Sequence, residues 1–225
     1  MQTANQQAKG QDIKQKIYFL VYDEVEVLDF SGPFDVYSMA NVAANNKGQG
    51  DLFELLTLSP TGKTVTAMHG LSINPTYSID DCPIGADDIL IVPGGTLPSV
   101  NSFYDTYPTM LPWMTAQKDQ VKVFASVCIG ALIAAPAMAF EGKKTTTHHQ
   151  LLGQLEALVQ GQNAAVIPGA RYVDNDGTPN IMSSAGVSAG MDLAFYLLKK
   201  LTNQNIVSQT MNIMEYNGTT NWVNS

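Results

Sequence analysis

A chain of 225 residues is long enough for one large domain and does not require a second. Its formal net charge of −8 argues against a surface for nucleic acid or for anionic membranes, and 45% apolar against 14% charged residues point to a sizeable core. Two distant cysteines, Cys82 and Cys128, supply neither a disulfide framework nor a zinc-ligand cluster, and no apolar run is long enough to cross a membrane.

Residues 1–14 are polar and Gln-rich and lack an apolar core, so they are expected to form a disordered tail, with residues 15–225 as the folded domain. The tail is compatible with a cytoplasmic protein, or with a periplasmic one whose signal peptide has been removed. Residues 17–22 (IYFLVY) read as a strand buried on both faces. Residues 23–34 read as a loop, and Gly32-Pro33 is expected to open a helix running to about residue 44. Residues 52–58 give a second strand. Residues 64–73 alternate around His69-Gly70 and predict a small antiparallel excursion. Residues 89–92 (ILIV) form another buried strand, ending at Pro93-Gly94-Gly95. A helix is expected over 107–118.

The densest signal follows. Residues 121–125 read as a buried strand that meets Ser126-Val127-Cys128-Ile129-Gly130 and passes at once into an Ala-rich helical run. A Cys at a strand-to-helix corner faces unpaired N–H groups and the positive end of the helix dipole. Both predict a thiolate-favouring environment, and thiolate is the nucleophile. Gly130 permits the tight turn. The order matches a nucleophile elbow with Cys in place of Ser, although a Cys after an apolar strand is often simply packed in the core.

Beyond it, 149–159 reads as helical, 164–173 as a strand, and Asp174-Asn175-Asp176-Gly177 as a tight hairpin turn. Residues 187–201 and 204–216 complete the pattern as helices. Cys82, in Asp81-Cys82-Pro83, reads as structural. Arg171 is expected either to pair with an acid on the hairpin or to be exposed. Buried strands alternating with helices predict an α/β fold: a single-domain three-layer sandwich with a mostly parallel sheet. Ligands in such folds sit beyond the carboxyl ends of the strands. Asp29, Gly94-Gly95 and Cys128 converge there.

Three segments resemble the ThiJ/PfpI superfamily, with its class I glutamine amidotransferase-like fold: Leu28-Asp29-Phe30-Ser31-Gly32-Pro33, Ile91-Val92-Pro93-Gly94-Gly95-Thr96, and Ser126-Val127-Cys128-Ile129-Gly130. Residues 142–148 and 184–192 extend the resemblance. The acidic residue in Leu28-Asp29 followed by Gly-Pro is similar to the isonitrile hydratases and to the ligand domains of some AraC-type regulators. The resemblance implies Cys128 as nucleophile and Asp29 as its acidic partner. It implies an anion-binding pocket at Gly94, Gly95, Ile129 and Gly130, with the N–H groups of Gly95 and Ile129 as donors, and His148 nearby. It further implies a cofactor-independent lyase on a small-molecule substrate, without metal, and a homodimer. Isonitrile hydratases usually carry Thr after the Cys. Here the residue is Ile129, which offers no side-chain hydrogen bond.

Amidotransfer would need a His-x-Glu after the nucleophile, and a PfpI-type protease a His directly after the Cys. Neither is present. The alternative to an enzyme is a small-molecule or redox sensor built on Cys128. A nucleic-acid partner is not expected, because no basic patch is present.

Overall fold

A computed structural model describes residues 14–218. The expected tail falls outside the described residues except for Lys14, whose ammonium pairs with Asp51 at 2.9 Å.

The chain alternates strands and helices as its apolar runs dictate. β1 (Gln15–Leu20) leads to α1 (Val27–Asn45) and β2 (Phe53–Ser59). A short antiparallel pair, β3 (Val65–Thr66) and β4 (Ser72–Ile73), forms the expected excursion and precedes the edge strand β5 (Tyr77–Ser78). β6 (Ile89–Val92) follows, then the helices α2 (Leu97–Asn101), α3 (Phe103–Thr106) and α4 (Met110–Gln120). Next come β7 (Val123–Ser126), α5 (Gly130–Ala134), β8 (Lys144–Thr145), α6 (Leu152–Leu158) and β9 (Ala165–Val166). The chain closes through β10 (Tyr172–Asp174), β11 (Asn180–Ser184), α7 (Ala189–Leu201) and α8 (Gln204–Ile213).

The main sheet has seven strands in the order β10-β11-β7-β6-β1-β2-β5, parallel except for the β10–β11 hairpin. Its central strands are apolar on both faces because both faces are covered. All four residues of β6 are buried. α1, α7 and α8 pack together on one side, and α5 packs with α2 and α6 on the other, which completes the three layers. β8 and β9 form a separate parallel pair.

Several boundaries differ from expectation for local reasons. α1 starts at Val27, not at Gly32-Pro33, because the Glu26 side chain caps the helix by accepting the Leu28 N–H at 3.4 Å. Pro33 therefore lies inside the helix, where it removes one backbone donor. The helix expected at 107 starts at Met110, because Tyr107 precedes Pro108 and adopts φ −127°, ψ 72°. The strand expected over 164–173 splits into β9 and β10, with Gly169 at φ 76° between them. β11 had no range assigned from sequence. It is a polar Asn-Ile-Met-Ser-Ser run, yet every residue in it is buried.

The sheet topology creates the site. The chain runs from β1 outward to β2, then crosses back to β6 on the other side of β1. The carboxyl ends of β1 and β6 therefore lie at a topological switch point, where ligands bind in folds of this kind. The register sets Val92 of β6 beside Ser126 of β7, and Ser126 beside Ser183 of β11. The segments after these four strands thus emerge at one edge.

Candidate active site

Cys128 occupies the corner between β7 and α5 with φ 57°, in the left-handed region that non-glycine residues rarely enter. Its backbone is fixed on both sides. Its N–H donates to the Ala185 carbonyl at 3.2 Å, and its own carbonyl accepts the Thr147 hydroxyl at 2.8 Å. Gly130 makes the corner possible. A Cβ there would stand 2.2 Å from the Val92 carbonyl oxygen, so only glycine lets α5 start against the end of β6.

Asp29 reaches the sulfur from the first turn of α1, not from a loop. Its side chain is fully buried, at 0% exposure, and Oδ2 accepts the Gly94 N–H at 2.9 Å. The carboxyl faces the Cys128 thiol. Burial pushes the Asp29 carboxyl up to about 8, against the lowering effect of the Gly94 bond. Burial also pushes the Cys128 thiol up to about 12, with the Asp29 charge adding to it. The expectation of a thiolate-favouring site is therefore corrected. α5 is a single short turn, and the loss of water around Cys128, a residue only 6% exposed, outweighs it. Two backbone donors, Val187 and then Ile129, still act to lower the thiol.

The remaining expected residues divide by role. The Gly94 N–H is committed to Asp29, and a Cβ at Gly94 would stand 2.7 Å from Ile129 Cγ1 and 2.9 Å from Asp29 Oδ2. Gly95 bridges to Val25, and a Cβ there would stand 2.5 Å from the Glu24 carbonyl oxygen. Both glycines thus allow close approach of backbone to the site. Ile129 is buried over Gly94, with its N–H turned to the sulfur. His148 caps the short 3₁₀ turn His149–Leu151, its Nδ1 accepting the Gln150 N–H at 3.3 Å. Its ring lies against Gly186. The groups that set the state of Cys128 are Asp29, Val187 and Ile129.

Sequence reading assigned no role to three residues that complete the site. The Tyr22 hydroxyl donates to the Pro93 carbonyl at 3.1 Å and is held protonated first by burial, with Asp29 and Cys128 adding to this once they ionise. Thr147 holds the Cys128 carbonyl. Val187 supplies an N–H to the sulfur. Tyr22 is the last residue of an apolar run, Val187 reads as the start of a helix that in fact begins at Ala189, and Thr147 sits in a polar run, so nothing local marks them as site residues. Arg171 pairs with Asp192 of α7, not with an acid on the hairpin.

Residues 15–200 match the model of the DJ-1/PfpI family. The chain is 30% identical over 204 residues to an isonitrile hydratase from Pseudomonas putida, covering 89% of this chain and 78% of that protein. It is 28% identical over 186 residues to the HTH-type transcriptional regulator GbdR of Pseudomonas aeruginosa, where the match covers 82% of this chain but 46% of the regulator. Among solved structures, a THiJ/PfpI family protein from Pseudomonas syringae superposes with a TM-score of 0.76 at 25% identity, over 92% of this chain and 77% of that one.

Proposed function

The chain belongs to the DJ-1/PfpI family, and from that premise we propose that it is a cysteine-dependent enzyme that hydrates an isonitrile to an N-substituted formamide, with Cys128 as nucleophile and Asp29 as its acid–base partner. The observation that carries the reading is the buried Asp29 carboxyl facing the Cys128 thiol, with its pKa pushed up to about 8. A carboxylic acid that keeps its proton near neutral pH suits general acid catalysis. The hydratase relative supports the substrate class.

The chemistry balances without an added reagent. The Cys128 sulfur bonds to the terminal isonitrile carbon, and the thiol proton ends on that carbon by way of the Asp29 carboxyl, giving a thioimidate. Water then adds across the carbon–nitrogen double bond, with its proton going to nitrogen. The carbon–sulfur bond breaks as the carbonyl forms, and the hydroxyl proton returns to sulfur. Asp29 finishes as it began. The raised thiol pKa makes this proton relay necessary, because little free thiolate is available at pH 7. The Ile129 N–H donates to the sulfur in the resting state, and with the Gly95 N–H it is a candidate to face charge developing on the substrate.

The test is turnover of a panel of isonitriles, nitriles and α-oxoaldehydes beside a Cys128→Ala control. Formamide production from an isonitrile, lost in Cys128→Ala, is expected. Ile129→Thr places a hydroxyl beside the sulfur in a smaller side chain that fits the same space, and is expected to raise that production. If neither the parent nor Ile129→Thr hydrates any isonitrile, the hydratase reading fails. A ligand-sensing role then moves ahead, supported by the match to the regulator. Redox sensing is less well supported, because a thiol held protonated reacts slowly with peroxide.

A further inference from the structure

The turn between β11 and α7, residues 185–188, holds Cys128 twice. The Ala185 carbonyl accepts the Cys128 N–H at 3.2 Å, and the Val187 N–H bonds to the sulfur. Val187 does so at φ 40°, a left-handed conformation that a β-branched residue avoids. A conformation of this kind persists only where the surroundings impose it.

Arg171 holds the turn on both sides of Val187. Its carbonyl accepts the Ala185 N–H at 3.0 Å, and its Nη2 donates to Ser188 Oγ at 2.9 Å. Its Nε donates to Asp192, a buried carboxylate that also accepts the Tyr216 hydroxyl. The guanidinium fork thus ties the residue after Val187 to α7, while the Arg171 backbone ties down the residue two before it. The His148 ring closes the remaining side against Gly186, where a Cβ would stand 2.3 Å from Cδ2.

We propose that Arg171 is a positioning residue for Cys128: by gripping Ala185, Ser188 and Asp192 it forces Val187 into its left-handed conformation and so delivers the Val187 N–H to the sulfur. The meaning of this for catalysis rests on Cys128 being the nucleophile. The test reads the thiol itself, so its failure leaves the question of turnover untouched, and failure of the hydratase assay leaves this inference standing.

The experiment measures the rate of Cys128 alkylation by iodoacetamide between pH 7 and 10, in a Cys82→Ser background so that one thiol reports. Asp29 and Tyr22, the titratable groups facing the sulfur, are unchanged in every variant. Arg171→Ala is expected to slow alkylation about tenfold at pH 8, the scale of one lost hydrogen bond to a charged group. Arg171→Lys keeps a cation for Asp192 but loses the fork, so melting temperature recovers while the rate does not. Val187→Gly added to Arg171→Ala is expected to restore much of the rate, because glycine enters the left-handed region without penalty. A purely structural role for Arg171 predicts no such rescue. A folded Arg171→Ala protein that alkylates within twofold of the parent, or faster, overturns the proposal, and so does an additive cycle. If Arg171→Ala does not fold, Ser188→Ala replaces it. About threefold slower alkylation then supports the proposal, and an unchanged rate overturns it.

Discussion

Asp29 combines two opposed properties in one side chain. Its carboxyl ionises at about 8 in the folded protein, because burial disfavours the charge, and near 4 in an unfolded chain. Between those values unfolding releases a proton, so this group lowers stability progressively as pH rises from about 4 toward 8. Asp29→Asn removes that penalty while its amide oxygen can still accept the Gly94 N–H. The variant is expected to melt roughly 5 °C or more above the parent at pH 7, with the gain vanishing near pH 4. Thermal scans at the two pH values check this. The same variant lacks the relay proton, so turnover is expected to fall about 100- to 10,000-fold. A parent activity that needs the Asp29 proton declines as pH rises through about 8. Gain of stability with loss of activity marks a functional carboxyl, whereas a structural one would lose both. Gly94→Ala acts on the same group from the other side. Its Cβ would meet Asp29 and Ile129 at once, so turnover is expected to fall at least tenfold even where the protein folds, measured beside its melting curve.

At the scale of elements, the buried runs at 17–22, 89–92 and 121–125 were legible because a parallel strand covered on both faces has no polar alternation to confuse it. They place Gly94, Gly95 and Cys128 correctly at strand ends. Asp29 was legible as a residue but not as part of a helix, since Gly32-Pro33 is a stronger local start signal than Glu26, and only tertiary packing carries α1 through a proline. β11 was illegible for a different reason. Its Ser183 hydroxyl is satisfied by the Thr146 N–H at 2.9 Å and the Thr145 hydroxyl at 3.2 Å, partners that lie nearly forty positions away. A polar strand whose buried hydroxyl is satisfied from so far along the chain has no local signature of burial. The thiolate expectation failed similarly, because the chain order shows the helix start but not the burial that overrides it. At α8 the expected start and the cap coincide. The Asn203 side chain accepts the N–H groups of Asn205 and Ile206 at 3.0 and 3.1 Å at the start of α8. Asn203→Ala is expected to cost about 1 kcal/mol, seen as a drop of roughly 2–4 °C in melting temperature.

For the whole molecule, the three layers leave several large apolar side chains on the surface, among them Leu28, Val42, Leu71 and Leu97. Among the described residues no helix is long and apolar enough to cross a membrane. A homodimer covering part of this apolar surface is the expected state, and light scattering at micromolar concentration is expected to give twice the monomer mass. The sheet order also has a bearing on synthesis. Ala185 and Val187, which grip Cys128, follow it by roughly 60 positions, or about 3–12 seconds of translation. β11, which delivers them, must slot in beside β7 after both β7 and α5 have left the ribosome. During that interval Cys128 has neither its backbone acceptor nor its shield. Its thiol then lacks the Val187 N–H that the finished fold aims at it. The environment of the cysteine is thus completed by a segment made well after it, and a chain cut short before β11 would carry the residue without its setting.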